Sequence, residues 1–269
     1  MDRPIGQTPK AITIILTRRA LATALRVCGG DLIDSSGGCT IVERRLPGPH
    51  LYLPAYFQES RTDVLHALMR ARPLATLVTL AESGLVANHI PVETLPDPLP
   101  HGVVRGHIAR ANPLWREYRA DSEVLAIFQG PQAYVSPSFY PSKLETGEVV
   151  PTWDYAVVHA RGTLRFVQDS VWLRALVSRL TDAHETSRRV AWKIDDAPSR
   201  YIEQMLALIV GFELSIASLT GKWKLSQNHS AANRLGVATG LRATAGAEAG
   251  EVADMLSSLE DERQAEPHD

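Results

Sequence analysis

Cysteine is nearly absent from this chain. Cys28 and Cys39 are the only two in 269 residues, and both precede the first clear strand or helix signal. They form neither a metal-ligand spacing nor a disulfide framework, so a reducing cytoplasm is the expected compartment. Long apolar runs are missing as well. Ala11–Leu16 is six residues, closely followed by Arg18 and Arg19, short of the roughly 18 that a membrane helix needs and of a secretory h-region. No membrane association is expected. Nor does one sign of charge dominate: 28 Lys and Arg against 30 Asp and Glu give a net charge of −2. A basic footprint for nucleic acid is therefore absent, and no helix-turn-helix pattern appears, so direct DNA binding is supported by neither charge nor motif. There is no G-x-S-x-G, no HxxxH or HxH, and no glycine-rich phosphate loop after a first strand. No catalytic group can be named from the sequence.

What the chain does have is a long segment, Ile127–Tyr155, that cannot be helical. Pro131, Pro137, Pro141 and Pro151 each remove a backbone donor and fix φ. Its start reads as a strand over Glu123–Gln129 and a second extended piece over Gln132–Ser136. From Pro137 to Thr152 an irregular loop is expected, and loops of about fifteen residues in a compact domain are usually functional or disordered. Phe139, Tyr140, Trp153 and Tyr155 argue against disorder. The loop is expected to be ordered and to lie over a ligand or a subunit contact.

Residues 1–50 are turn-rich and weakly periodic, and are expected to be a poorly ordered extension with a short helix near 18–27. A helix is predicted from Thr62 to Pro73, then strands over Leu74–Leu80 and Leu85–Leu95 forming a hairpin, and a third over Val103–Ala109. Asn112-Pro113 starts a short helix. Tyr155–Val167 alternates as a strand, Asp169 caps a helix over Ser170–Glu185, and Pro198 opens another through Leu208. A last strand is predicted over Val210–Leu219, with a turn before Gly221. Ser226 is the expected cap of a helix over about Ala231–Thr239. The domain is expected to span 51–241, with 242–269 a terminal helix or a flexible tail. Six or seven short, mostly antiparallel strands without βαβ alternation predict a mainly β fold with added helices (α+β), a small barrel with helices outside.

Few polar residues interrupt these strands. Asn88 and His89 offer donors and acceptors that suit the edge of a heterocycle, or else His89 simply faces solvent. Arg105 and His107 share a strand face and could serve an anion such as phosphate; an exposed barrel face explains them equally. Gly106 between them is the kind of glycine that admits a ligand or another backbone. Lys143 could hold a phosphate as a point charge, although loop lysines are usually only solvated. Lys222-Trp223-Lys224 reads best as a buried ring with solvated neighbours.

The blocks YLPAYF (52–57), RPLATLVTL (72–80), GLVANHIP (84–91), RGHIARANP (105–113), IFQGPQAYVSPSFYPSK (127–143), VVPTWDYAVVHARG (149–162) and GKWKLSQN (221–228) together resemble the PaiB family, bacterial FMN-binding negative transcriptional regulators. The resemblance implies an FMN-binding split β-barrel, a homodimer with flavin at the subunit interface, and a transcriptional regulator. The alternative it leaves open is a flavin-dependent oxidoreductase or a haem-handling enzyme on the same fold. It further implies that Thr76, Asn88, His89, Arg105, His107 and Lys143 surround FMN, with Gln129 as an added candidate. Haem is the alternative cofactor.

Overall fold

The computed structural model describes residues 51–81, 84–120 and 122–265; the expectations for residues 1–50 lie outside them. Seven strands make one antiparallel sheet: β1 (Gln58–Glu59), β2 (Leu74–Ala81), β3 (Gly84–Leu95), β4 (Val103–Ala109), β5 (Val124–Val135), β6 (Thr152–Val167) and β7 (Ile209–Lys224). Their order is β1-β7-β4-β3-β2-β5-β6, and β6 also pairs with β7. That last pairing closes six strands into a barrel, with β1 appended at the edge of β7. This is the barrel that the strand pattern predicts, and the split-barrel architecture that the family resemblance implies.

Burial alternates with the period of two that a closed barrel imposes. Ala75, Leu77, Ile90, Val92, Val104, Ala126, Phe128, Val158, Phe212 and Leu214 point inward and are almost fully buried. Helix α1 (Thr62–Ala71) sets Leu65, Leu68 and Met69 against this core, and Pro73 follows it as a stop. After β4 comes the short α2 (Leu114–Glu117), whose first amide, Leu114 N, donates to Asn112 Oδ1 at 3.0 Å. Helices α3 (Ser170–Glu185) and α4 (Ser199–Leu206), with Ile194 from the 3-10 turn between them, build a second, smaller apolar cluster from Leu173, Ile194, Ile202 and Leu206. Asp169 caps α3 as expected, accepting from Trp172 N at 2.7 Å. The core does not stop at Leu241: α5 (Ala231–Arg242) and α6 (Ala247–Ala265) contribute Val237, Leu241, Val252, Ala253 and Leu256 to the main cluster. Among the described residues, no helix is long and apolar enough to cross a membrane.

Three local expectations are corrected. β5 is one strand rather than two pieces; Pro131 is tolerated because the β5–β6 register shifts between Gln129 and Gln132, the bulge position where proline does least damage. β7 does not end at Leu219. It runs through Gly221 to Lys224, because β6 pairs with it over Tyr155↔Lys224, Val157↔Lys222 and His159↔Thr220. The cap of α5 is Ser230, not Ser226, and the helix extends to Arg242.

Glycine permits the tightest approaches. A Cβ on Gly162 would sit 1.9 Å from the carbonyl oxygen of Ser215 on the paired strand, at the β6 register shift. Backbone cannot swing aside as a side chain can. Replacing Gly162 by Ala should therefore destabilise the fold by about 1–3 kcal/mol, read as a lower urea midpoint. An unchanged midpoint would show that the strand pair relaxes freely.

Candidate functional site

Strand register determines which predicted residues meet. On the outer face of the barrel, His89 pairs with Thr76, Thr76 with Ile127, Ile127 with His159, and His159 with Thr220. These five positions form one continuous row across β3, β2, β5, β6 and β7. The side chains of Thr76 and His89 join within it, Oγ1 to Nδ1 at 3.0 Å. A second row runs Gln129↔Val157↔Lys222↔Gln58. Thr76, His89 and Gln129 thus share one wall, with Ile127 and Val157 as its apolar floor.

His159 is the member that sequence reasoning missed. It has no motif spacing, and only the β5–β6 register shows it beside Ile127. Burial, with the Arg161 charge beside it, holds its imidazole below the ordinary value. Two residues on, Arg161 lies on the same face opposite Leu125 and bridges Glu123 at 3.2 Å.

The remaining candidates are placed elsewhere. Asn88 points to the inner side, opposite Leu77, where Asn112 Nδ2 donates to its Oδ1 at 2.8 Å; its own Nδ2 is buried without a partner. Arg105 lies on the outer face of β4, and its Nε donates to Glu213 Oε2 at 2.6 Å; Arg165 donates to the other oxygen at 3.2 Å. Burial by itself would raise the Glu213 carboxyl, but the bonds from Arg105 and Arg165 outweigh it and hold it below the ordinary value. Gly106 faces Phe212, not a ligand: a Cβ there would come within 2.7 Å of that ring. His107 pairs with Gly211, where the ring of Trp172 from α3 approaches the backbone.

The proline-rich loop is ordered as two 3-10 turns, Pro137–Phe139 and Pro141–Lys143. It is fastened to α5 rather than laid over the outer row. Phe139 packs against Gly240 and Pro141 against Gly236, and Asn233 Nδ2 donates to Ser142 Oγ at 3.0 Å. Lys143 is exposed at its end. Trp223 is buried as expected, but its neighbours are not both solvated. Lys222 is only 7% exposed; its Nζ donates to the Tyr52 carbonyl at 3.0 Å and lies 5.5 Å from the Tyr155 ring centroid.

His107 carries a pH signature. Burial lowers its basicity, and its Nδ1 is buried without a partner. The folded protein therefore resists a proton that the unfolded chain accepts near its ordinary value of about 6.5. Stability should be full above that value and fall as pH drops below it. Urea midpoints between pH 7.5 and 5.5 should decline less in His107→Asn than in the unaltered chain; parallel declines would remove His107 as a source.

Comparison with known proteins identifies the family. Residues 51–218 match a family model described as "Putative FMN-binding domain". The chain is 30% identical over 210 residues to the Bacillus subtilis protein named "Protease synthase and sporulation protein PAI 2", covering 77% of this chain and 96% of that one. It is 35% identical over 225 residues to an uncharacterized protein of Emericella nidulans, covering 71% and 90%. Among solved structures, a FAD and heme binding protein from Mycobacterium smegmatis aligns with a TM-score of 0.47 at 18% identity, over 62% of this chain and 73% of that one. The chain belongs to the PaiB family and carries its FMN-binding domain.

Proposed function

We propose that this protein binds FMN on the outer wall of the barrel, around the row His89–Thr76–Ile127–His159, and serves in the cytoplasm as a flavin-bearing regulator. The observation that carries this reading is the hydrogen-bonded Thr76–His89 pair standing in register with Ile127 and His159. An isoalloxazine ring asks for an apolar plane with donors and acceptors at its edge. Ile127 and Val157 supply the plane, and His89, Gln129 and His159 supply the edge. A phosphate asks for a cation. Arg161 stands on the same face, 18% exposed and bridged to Glu123 at 3.2 Å, two residues from His159 of the row. Bound flavin would supply a redox-active ring; the protein's part is to orient it and to keep His159 neutral, able to donate from one nitrogen and accept at the other.

Exposed leucines beside the row support a homodimer. Leu74, Leu80 and Leu85 are 61%, 51% and 79% exposed on β2 and β3, an arrangement that favours cover by another surface. A second copy covering this wall would shield both the leucines and the ring.

FMN titration followed by quenching of flavin fluorescence tests the reading. His89→Ala and Thr76→Val should each weaken binding about five-fold or more, the worth of one hydrogen bond of about 1 kcal/mol. Lys143→Ala should stay within about two-fold. No quenching by the unaltered chain would end the proposal. Steady consumption of reduced nicotinamide by FMN-loaded protein would replace the regulatory role with an oxidoreductase.

A further inference from the structure

Away from the outer row, the second half of the proline-rich loop and the end of β7 enclose a cavity of about 350 Å3. Its size is that of a small-ligand pocket. Tyr140, Ser142, Lys224, Ser226, His229 and Asn233 give it polar atoms, while Tyr56, Phe57 and Pro151 wall it with carbon. The rings of Tyr140 and His229 are tilted by 34° with centroids 5.0 Å apart, an offset aromatic pair at the pocket.

One buried group that lines the cavity lacks the partner that burial ordinarily demands. Tyr140 is 3% exposed, and its hydroxyl has no hydrogen bond of normal geometry, although Ser226 lies beside it. Behind the lining, fully buried Asp154 accepts from Ser226 Oγ at 2.7 Å through Oδ2 and faces the Lys224 ammonium through Oδ1. Ser226 makes that bond from φ +60°, the left-handed region that non-glycine residues seldom occupy. Such conformations persist where the surroundings over-determine them, and they cluster at ligand sites.

Charge narrows the occupant. Lys224 Nζ stands 3.6 Å from Asp154 Oδ1 while also donating to Thr152 Oγ1 and the Trp153 carbonyl. The pair is close to neutral, and Glu148 is exposed among the lining residues. Burial, opposed by Asp154 and assisted by Lys224 and Arg234, keeps His229 below its ordinary basicity. An anion entering here would meet Glu148, and an ammonium would meet Lys224. The unpartnered Tyr140 hydroxyl can accept from an N–H or O–H donor.

We propose that this cavity is a second ligand site, for a small uncharged planar molecule carrying a hydrogen-bond donor, such as a carboxamide or an amino-heterocycle. The site is independent of the flavin wall. Ligand-observed NMR titration of the full chain with benzamide, against benzoate and benzylammonium, tests it. Benzamide should saturate and bind about ten-fold or more tightly than either charged analogue, a difference of about 1.4 kcal/mol. Tyr140→Phe, which preserves the ring, and His229→Ala should each weaken it about five-fold or more. Saturating FMN should leave its affinity unchanged. Failure of benzamide to saturate, equal binding of the charged analogues, indifference to both substitutions, or displacement by FMN would each overturn the assignment.

Discussion

The pairing of β6 with β7, from Tyr155↔Lys224 to Val167↔Gly211, turns an open antiparallel sheet into a closed wall with an inside and an outside. Closure fixes the parity of every strand, since a one-residue slip would move a whole row of side chains through the wall. It also brings backbones so close that particular positions must lack a side chain. Gly162 yields to the Ser215 carbonyl, and Gly221 to Leu65 and the Glu59 carbonyl. The interior is then filled by Phe128, Phe212, Leu214 and their neighbours, leaving the outer wall for chemistry.

That wall is used in two ways. Around β4 and the far half of β7 its charges serve the fold: Glu213 is shared between Arg105 and Arg165, and Glu93 takes Arg179 from α3 at 2.7 Å. Across β3, β2, β5 and β6 the wall carries Thr76, His89, Gln129 and His159 among exposed leucines, with Thr76 and His89 hydrogen-bonded to each other. The contrast separates residues that looked equivalent as a list. Arg105 and His89 both interrupt apolar strands, yet one completes an ion pair while the other stands exposed on the row that the flavin reading uses.

Much of the architecture is legible in the sequence because its signals are local. Alternation over Val103–Ala109 gives β4 to the residue, and the Asp169 cap gives the start of α3. The errors share one cause, which is contact between segments distant along the chain. A turn before Gly221 is reasonable for a strand considered alone; pairing with Tyr155–His159 carries β7 past it. Ser226 looks like a helix cap until the buried Asp154 claims its hydroxyl. The same limit governs the site. Thr76 and His89 are found together, whereas His159 enters only through the β5–β6 register and has no motif of its own. The loop was legible as ordered, but its fastening to Asn233, Gly236 and Gly240 depends on where α5 lies.

The flavin reading rests on one wall, and the histidines on and off that wall allow it to be tested directly. Diethylpyrocarbonate modification of each histidine, quantified by peptide mass spectrometry with and without FMN, compares His89 on the row with His184 and His229 elsewhere. Selective protection of His89 by FMN, with His184 and His229 unchanged, is the result this account predicts. Protection of His229 with His89 still reactive, or no protection at all, would contradict it.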